Sequence, residues 1–342
     1  MRKVMVTILL VLAMVLGGCS TVKQNKDANI QGTAEVKDAQ TSNPSDQTSS
    51  GDYYVIVKDG GQFQQTIVEG AKDAGANLGV NVVALSPNNE TEVDKQISMV
   101  EQAINAKASG ILIAPLEIDA LIEPCKAARN AGIPVILVDS MINSDDYDAA
   151  MMTDNYIGGQ TAADTLAAEI GDEGKVFVIN AVAGSQSCIS REDGFRDRIA
   201  EAHPNIEIVG DTLFCNNDSI VAANQAIDTL SANPDLKGFY APNGNALTGV
   251  ASGVKEAGKA GTVKVIGFDA TADTIALLEE GAATALVVQM PYNMGYMGIE
   301  TAMKIAGGEE VSRETINTGF SVVTADNMND AEMQKVLYPL GK

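Results

Sequence analysis

"VIGFDATAD", Val265 to Asp273, sets four residues suited to a buried strand before an aspartate, with a helix start just beyond. A strand that ends in a polar residue and turns into a helix is the repeating unit of parallel α/β architecture. The Asp269 carboxylate at that turn has four readings: a helix cap, a metal ligand, a base, or an acceptor for the hydroxyls of a small molecule.

The same unit recurs on both sides. Strand candidates YYVIV (53–57), VNVVAL (80–85) and GILIAP (110–115) precede helical stretches at 63–78, 90–106 and 118–130, and IPVILVD (133–139) follows. Near DNYIGG (154–159) the pattern restarts with KVFVINA (175–181), IEIVG (206–210), LKGFYA (236–241), VKVIGFD (263–269) and ATALVVQ (283–289). Helices are expected near 157–170, 194–203, 220–230, 246–257, 272–280 and 292–306. Val- and Ile-rich runs without alternation suit strands covered on both faces. Gly79, Gly110 and Gly132 stand where helix C-termini need positive φ. Two successive α/β domains of similar size result. Ligands of open parallel sheets bind beyond the carboxyl ends of the strands. That directs attention to Asp139, Asn216, Asn217, Asn243, Asp269 and Gln289.

Composition narrows the function. The chain has 342 residues, 45% of them hydrophobic, enough for two cores. Its net charge of −22 repels nucleic acid and anionic membrane faces. With 4% aromatic residues and no Trp, a long aromatic-lined groove is disfavoured. GDEGK (171–175) lacks the spacing of a phosphate loop, and GFDATAD is no dinucleotide fingerprint. The one histidine, His203, sits at a helix end and reads as a surface cap. There is no Cys/His metal spacing and no G-x-S-x-G elbow, and the Asp145–Asp146 pair lies in a polar loop. The expectation is a non-enzyme with no metal and no cofactor.

The N-terminus reads as a targeting segment. Arg2 and Lys3, an apolar run from Val4 to Leu16 and small residues before Cys19 make 1–18 a signal peptide, too short to span a membrane comfortably. LGGC (16–19) resembles the bacterial lipobox, which implies a lipidated Cys19. The polar stretch through Gly51 then reads as a disordered tether over 19–51. The folded part is expected outside the cytoplasm, anchored to the membrane only by lipid. Of the remaining cysteines, Cys188 and Cys215 both follow strands and could meet as a disulfide, with Cys125 free.

Six further stretches occur in order and at matching distances: IPVILVDS (133–140), TDNYIGGQTAA (153–163), SREDGFRDRI (190–199), YAPNGNALTGV (240–250), VKVIGFDATAD (263–273) and ALVVQMPYNMGYMGIE (285–300). Together they resemble the sugar-binding class of periplasmic-type solute receptors, the ribose, galactose and xylose group that feeds ABC importers, over about 53–323. The resemblance implies a type I periplasmic binding protein fold, α/β, with two similar doubly wound parallel-sheet lobes joined by three crossover strands and closing like a clamshell. It implies an N-terminal lobe of 52–153 plus 290–317 and a C-terminal lobe of 154–289 plus 318–342, with passages near 153–155, 289–290 and 318–319.

It also implies a site. Asp139 and Asp269 match facing carboxylates that accept from sugar hydroxyls. Arg191 matches a donating guanidinium, and Asn243 and Gln289 match amides that donate and accept. Such a set suits a hydroxyl, which both gives and takes a hydrogen bond. Departures bear on specificity. Family members with pyranose ligands sandwich the ring between aromatics. Here Phe63 fits one such position or else the core, while Gln64 and Asn217 stand where aromatics are common. Ser140 replaces an Arg that often follows the first-lobe Asp, and Asp59 and Gln62 are expected, by position alone, to reach the ligand. The implied ligand is a pentose, hexose, furanose, polyol, cyclitol or furanosyl signalling molecule, delivered by a monomeric receptor to an ABC permease. Sensing through a chemoreceptor or sensor kinase, and extracellular hydrolysis, are the alternatives.

Overall fold

The computed structural model describes residues 51–313 and 315–341. The expected signal peptide, Cys19 and the expected tether up to Ser50 lie outside the described residues.

The first sheet is formed by β1 (Tyr53–Ile56), β2 (Val82–Leu85), β3 (Gly110–Ile113), β4 (Val135–Val138), β5 (Ala149–Met152) and a late strand, β12 (Thr315–Asn317). Its order is β12-β5-β4-β3-β1-β2, all parallel. The second contains β6 (Gly174–Asn180), β7 (Ile206–Ile208), β9 (Leu236–Ala241), β10 (Lys264–Phe268), β11 (Ala285–Gln289) and β13 (Phe320–Thr324) in the order β13-β11-β10-β9-β6-β7. β13 runs antiparallel to β11, and a two-residue strand, β8 (Leu213–Phe214), pairs with β6. Every residue of β1, β3, β4 and β5 is buried, as expected of strands covered on both faces.

The helices are α1 (Gln62–Leu78), α2 (Val93–Asn105), α3 (Ile122–Asn130), α4 (Asn155–Ile170), α5 (Gln186–Ala202), α6 (Ser219–Ala232), α7 (Gly244–Glu256), α8 (Ala272–Glu279), α9 (Pro291–Ala306) and α10 (Ala331–Leu337). α4 follows the last strand of the first sheet's N-terminal run but packs on α5 and the second sheet. α9 follows β11 of the second sheet but packs on α1 and the first sheet. The chain passes between the sheets a third time between β12 and β13.

These exchanged helices cross their neighbours at glycines. A Cβ on Gly70 of α1 would lie 2.1 Å from the Tyr292 carbonyl oxygen of α9, and one on Gly295 of α9 would lie 1.9 Å from that of Ile67. The second sheet repeats the device. A Cβ on Gly159 of α4 would lie 2.0 Å from the Arg191 carbonyl oxygen, and one on Gly194 of α5 would lie 2.1 Å from that of Tyr156. Each glycine is three residues after the carbonyl its partner approaches, so the two helix pairs interlock reciprocally.

His203 caps α5 and ties the second lobe's helices together. Its Nδ1 lies 2.6 Å from Asp172 and its Nε2 2.8 Å from Asp164, which also accepts from Arg198. Burial pulls the imidazole pKa down, but the bonds to Asp164 and Asp172 outweigh it and the net shift is upward. A raised folded-state value means the contribution is full below the ordinary His range and is lost as pH rises through the folded value. Because both partners are substantially exposed, about 0.5–1 kcal/mol is at stake. Urea titrations at pH 6 and pH 9 are expected to differ by that much more in the native chain than in His203→Asn; an identical pH dependence would dismiss the role.

The structure differs from the sequence expectation in places. α5 begins at Gln186, eight residues before the expected Gly194, because its first turns carry polar residues facing the cleft and show no apolar period. β5, β8, β12, β13 and α10 were not anticipated; β5 is Ala-Ala-Met-Met, with no β-branched residue to mark it. Gly79 and Gly132 have positive φ, but Gly110 is the first residue of β3, and Lys107 takes the left-handed turn instead. The Cys188–Cys215 disulfide is not formed: Cys125, Cys188 and Cys215 are all free thiols. Cys188 sits on α5, which packs with α4 on one face of the second sheet, whereas Cys215 belongs to the cluster with Phe177 and Ile179 on the other face.

Candidate ligand-binding cleft

Asp139 and Asp269 occupy matching places. Each is the first residue after the fourth strand of its sheet, counted from β2 or β7, and each has positive φ, 63° and 75°. Each amide donates to the neighbouring strand, Asp139 to the Met151 carbonyl at 3.1 Å and Asp269 to that of Val287 at 3.0 Å. The left-handed turn, which Asp tolerates better than most residues, puts both carboxylates at strand ends lining one cavity. α8 is capped by Thr271, not by Asp269. The Asp269 carboxylate instead accepts from Gln289 Nε2 at 2.7 Å and from the Gly244 amide of α7 at 3.1 Å. Burial raises its pKa, with Arg191 and these hydrogen bonds opposing the shift.

The cavity has a volume of about 60 Å³ and draws its walls from both lobes. Arg191 is 2% exposed and lies 4.1 Å over the Phe268 ring. Its Nε donates to Asn155 and its Nη1 to the Pro242 carbonyl, both at 2.8 Å, while Nη2 has no partner. Gln289 gives its amide nitrogen to Asp269 and keeps Oε1 unpartnered. One buried donor and one buried acceptor are thus left open in the wall, an arrangement that is costly unless something else satisfies them. Asn243 caps α7 through the Ala246 amide at 2.9 Å and donates to Asn217 Oδ1 at 2.8 Å. Phe63 packs against the cluster of α1 and α9 and also lines the cavity, as do Asp59, Gln62 and Gln64.

Ser140 does not reach the cavity surface. It is fully buried, its hydroxyl held between Lys58 Nζ at 2.6 Å and Ser187 Oγ at 3.0 Å. The reason is Lys58, which the sequence expectation passed over. Two residues beyond β1, its ammonium lies 2.7 Å from Asp139 Oδ2, with both side chains 4% exposed. Burial lowers the Lys58 pKa, but the Asp139 and Glu90 charges more than offset it. Gln64 adds a 3.5 Å bond to the same Asp139 oxygen. Lys58 meets the rule that singled out Asp139, a polar residue just past a strand, and was legible on that ground. Glu90, Ser185 and Ser187 also line the cavity, and they come from loops and a helix start that no strand-end rule reaches.

The lobes touch across the cavity. The Ala272 amide donates to Gln62 Oε1 at 2.8 Å, Asn217 donates to Asp59 at 3.4 Å, and Lys58 and Ser140 reach Ser187. Among the described residues there is no cluster of His, Cys, Asp and Glu that could hold a metal ion.

Two parallel-sheet lobes closed over a polar cavity define a solute-binding protein, and the chain belongs to the periplasmic binding protein domain family, which it matches over residues 53–310. That family is extracytoplasmic and binds solutes. The ribose import binding protein of Escherichia coli is 30% identical over 249 residues, 73% of this chain and 82% of the relative. A carbohydrate transporter solute-binding protein from Agrobacterium radiobacter, solved with D-arabinose, is 36% identical, with a TM-score of 0.82 over 85% of this chain and 99% of its own. An ABC transporter solute-binding protein from Agrobacterium vitis, solved with D-fucose, is 38% identical, with a TM-score of 0.81 over 84% of this chain and 100% of its own.

Proposed function

We propose that this protein captures a monosaccharide or closely related polyol by closure of its two lobes and hands it to an ABC permease, without catalysis. The observation that carries the reading is the pairing of an open donor, Arg191 Nη2, with an open acceptor, Gln289 Oε1, in one buried wall. Asp139, Asp269, Asn243 and Asn217 surround the same cavity. Such a wall suits a ligand whose every hydroxyl donates and accepts, and a missing hydroxyl would leave a buried group unpaired. Phe63 offers an apolar edge to a sugar ring.

The moving bodies are then 52–153 plus 290–317 and 154–289 plus 318–342, hinged at 153–155, 289–290 and 318–319. In support, the Thr318 amide donates to the Met152 carbonyl at 2.8 Å and the Asp154 amide to Asn317 at 3.2 Å, so two of the three passages are tied side by side. Closure would bury the ligand and assemble the surface that a permease reads. Lipidation of Cys19 and the tether of 19–51 would hold this monomeric receptor at the outer face of the membrane.

A thermal-shift and calorimetric panel of pentoses, hexoses, polyols and furanosyl compounds tests the reading. A true ligand at a hundred times its Kd stabilises by about 2.7 kcal/mol, a shift of several degrees. Arg191→Ala and Asp269→Ala are expected to stay folded and lose at least about tenfold in affinity. Normal binding by both would refute the site, and turnover of the sugar without a transporter would refute the receptor.

A further inference from the structure

We propose that Glu90 is a specificity-determining residue of the cleft, meeting the ligand as a neutral acid that donates a hydrogen bond to a sugar oxygen beside the Lys58–Asp139 pair. The inference rests on the sugar-receptor reading above. Glu90 lies in the turn between β2 and α2, is only 9% exposed, and lines the same cavity as Lys58 and Asp139.

Its partners, or lack of them, distinguish it. Four carboxylates line the cavity: Asp59, Glu90, Asp139 and Asp269. Asp59 accepts from the Gly61 amide at 2.8 Å and from Asn217. Asp139 accepts from Lys58 and Gln64, and Asp269 from Gln289 and Gly244. Glu90 alone has no hydrogen bond or ion pair with any described residue. The cations are Lys58, already committed to Asp139, and Arg191, committed to Asn155 and Pro242.

Every element packed around Glu90 contributes to this balance. Lys58 and Asp59 lie beyond β1, Asp139 beyond β4, Asp269 beyond β10, and Arg191 and Cys188 on α5. Glu92, in the same turn, is engaged elsewhere by Asn88 and Lys95. Burial pushes the Glu90 carboxyl up to about 7; the Lys58 charge opposes this, and Asp59, Asp139 and Asp269 add to it. Carrying its proton, Glu90 offers both a donor and an acceptor, whereas a carboxylate only accepts. A sugar without an oxygen at that point would leave the acid buried and unpartnered.

Calorimetric titration of D-ribose, D-arabinose and D-fucose across pH 5.5–8.5 tests the proposal. For whichever sugar binds, affinity is expected to be level below pH 6.5 and to fall above pH 7, approaching about tenfold per unit, with proton uptake on binding. Glu90→Gln, permanently neutral and still a donor, is expected to keep the low-pH affinity within about threefold and to lose the slope. Glu90→Leu is expected to lose at least about tenfold at every pH. A slope shared by the native chain and Glu90→Gln would assign the titration to another group, such as Asp269, and overturn the proposal, as would a level native profile. If no member of the full panel of pentoses, hexoses, polyols and furanosyl compounds binds the native chain at any pH, the receptor reading itself falls, and this inference with it.

Discussion

Lys58→Met is expected to weaken sugar binding by two to three orders of magnitude while both lobes stay folded. The ammonium sits 2.7 Å from Asp139, with both side chains 4% exposed. Removing one member of a buried pair leaves the other charged and dry, at a cost of about 3–5 kcal/mol. The cost falls mainly on closure, because Lys58 also touches Ser187 of the opposite lobe and opening the cleft lets water reach the abandoned carboxylate. Global unfolding in urea is therefore expected to change less than ligand affinity. Adding Asp139→Asn to Lys58→Met removes the unpaired charge and is expected to recover a large part of the loss, a coupling that a double-mutant cycle measures directly. Affinity within threefold of the native value in the single variant would show that the pair carries no such role.

The second large effect is on stability. Gly295→Ala and Gly194→Ala each put a methyl within about 2 Å of a backbone carbonyl oxygen across a helix crossing, 1.9 Å from Ile67 and 2.1 Å from Tyr156. A side chain could swing away, but a carbonyl cannot move without displacing its helix. Overpacking of this kind costs about 2–3 kcal/mol, and the helices of the affected lobe must separate to accommodate it. Each variant is expected to lower Tm by about 5–10 °C. Gly60→Ala, with nothing within 4 Å of the added carbon, is the control and is expected to change little. Equal melting of Gly295→Ala and Gly60→Ala would mean that the crossing is not close-packed.

Much of the fold was legible because Val- and Ile-rich runs alternate with amphipathic stretches, and β1, β3, β4, β9, β10 and β11 fall where those runs do. The strands without a composition signal are the edge strands β12 and β13, the two-residue β8, and the interior β5, which holds only Ala and Met. The five polar residues implied by the family resemblance, Asp139, Arg191, Asn243, Asp269 and Gln289, line one cavity. Ser140, chosen as the neighbour of Asp139, is instead buried beneath it. A residue's number tells which strand it follows, not which way its side chain leaves the turn.

The sequence by itself determined a two-lobed α/β chain with carboxylates at strand ends, because hydrophobic period and strand–turn–helix order are local properties. Only the tertiary structure decided how those carboxylates are engaged. Asp139 is answered by a lysine 81 positions away in the chain and Asp269 by a glutamine 20 positions on, while Glu90 has no hydrogen bond or ion pair among the described residues. Charge pairing in a buried cleft depends on distance through space, which no periodicity encodes.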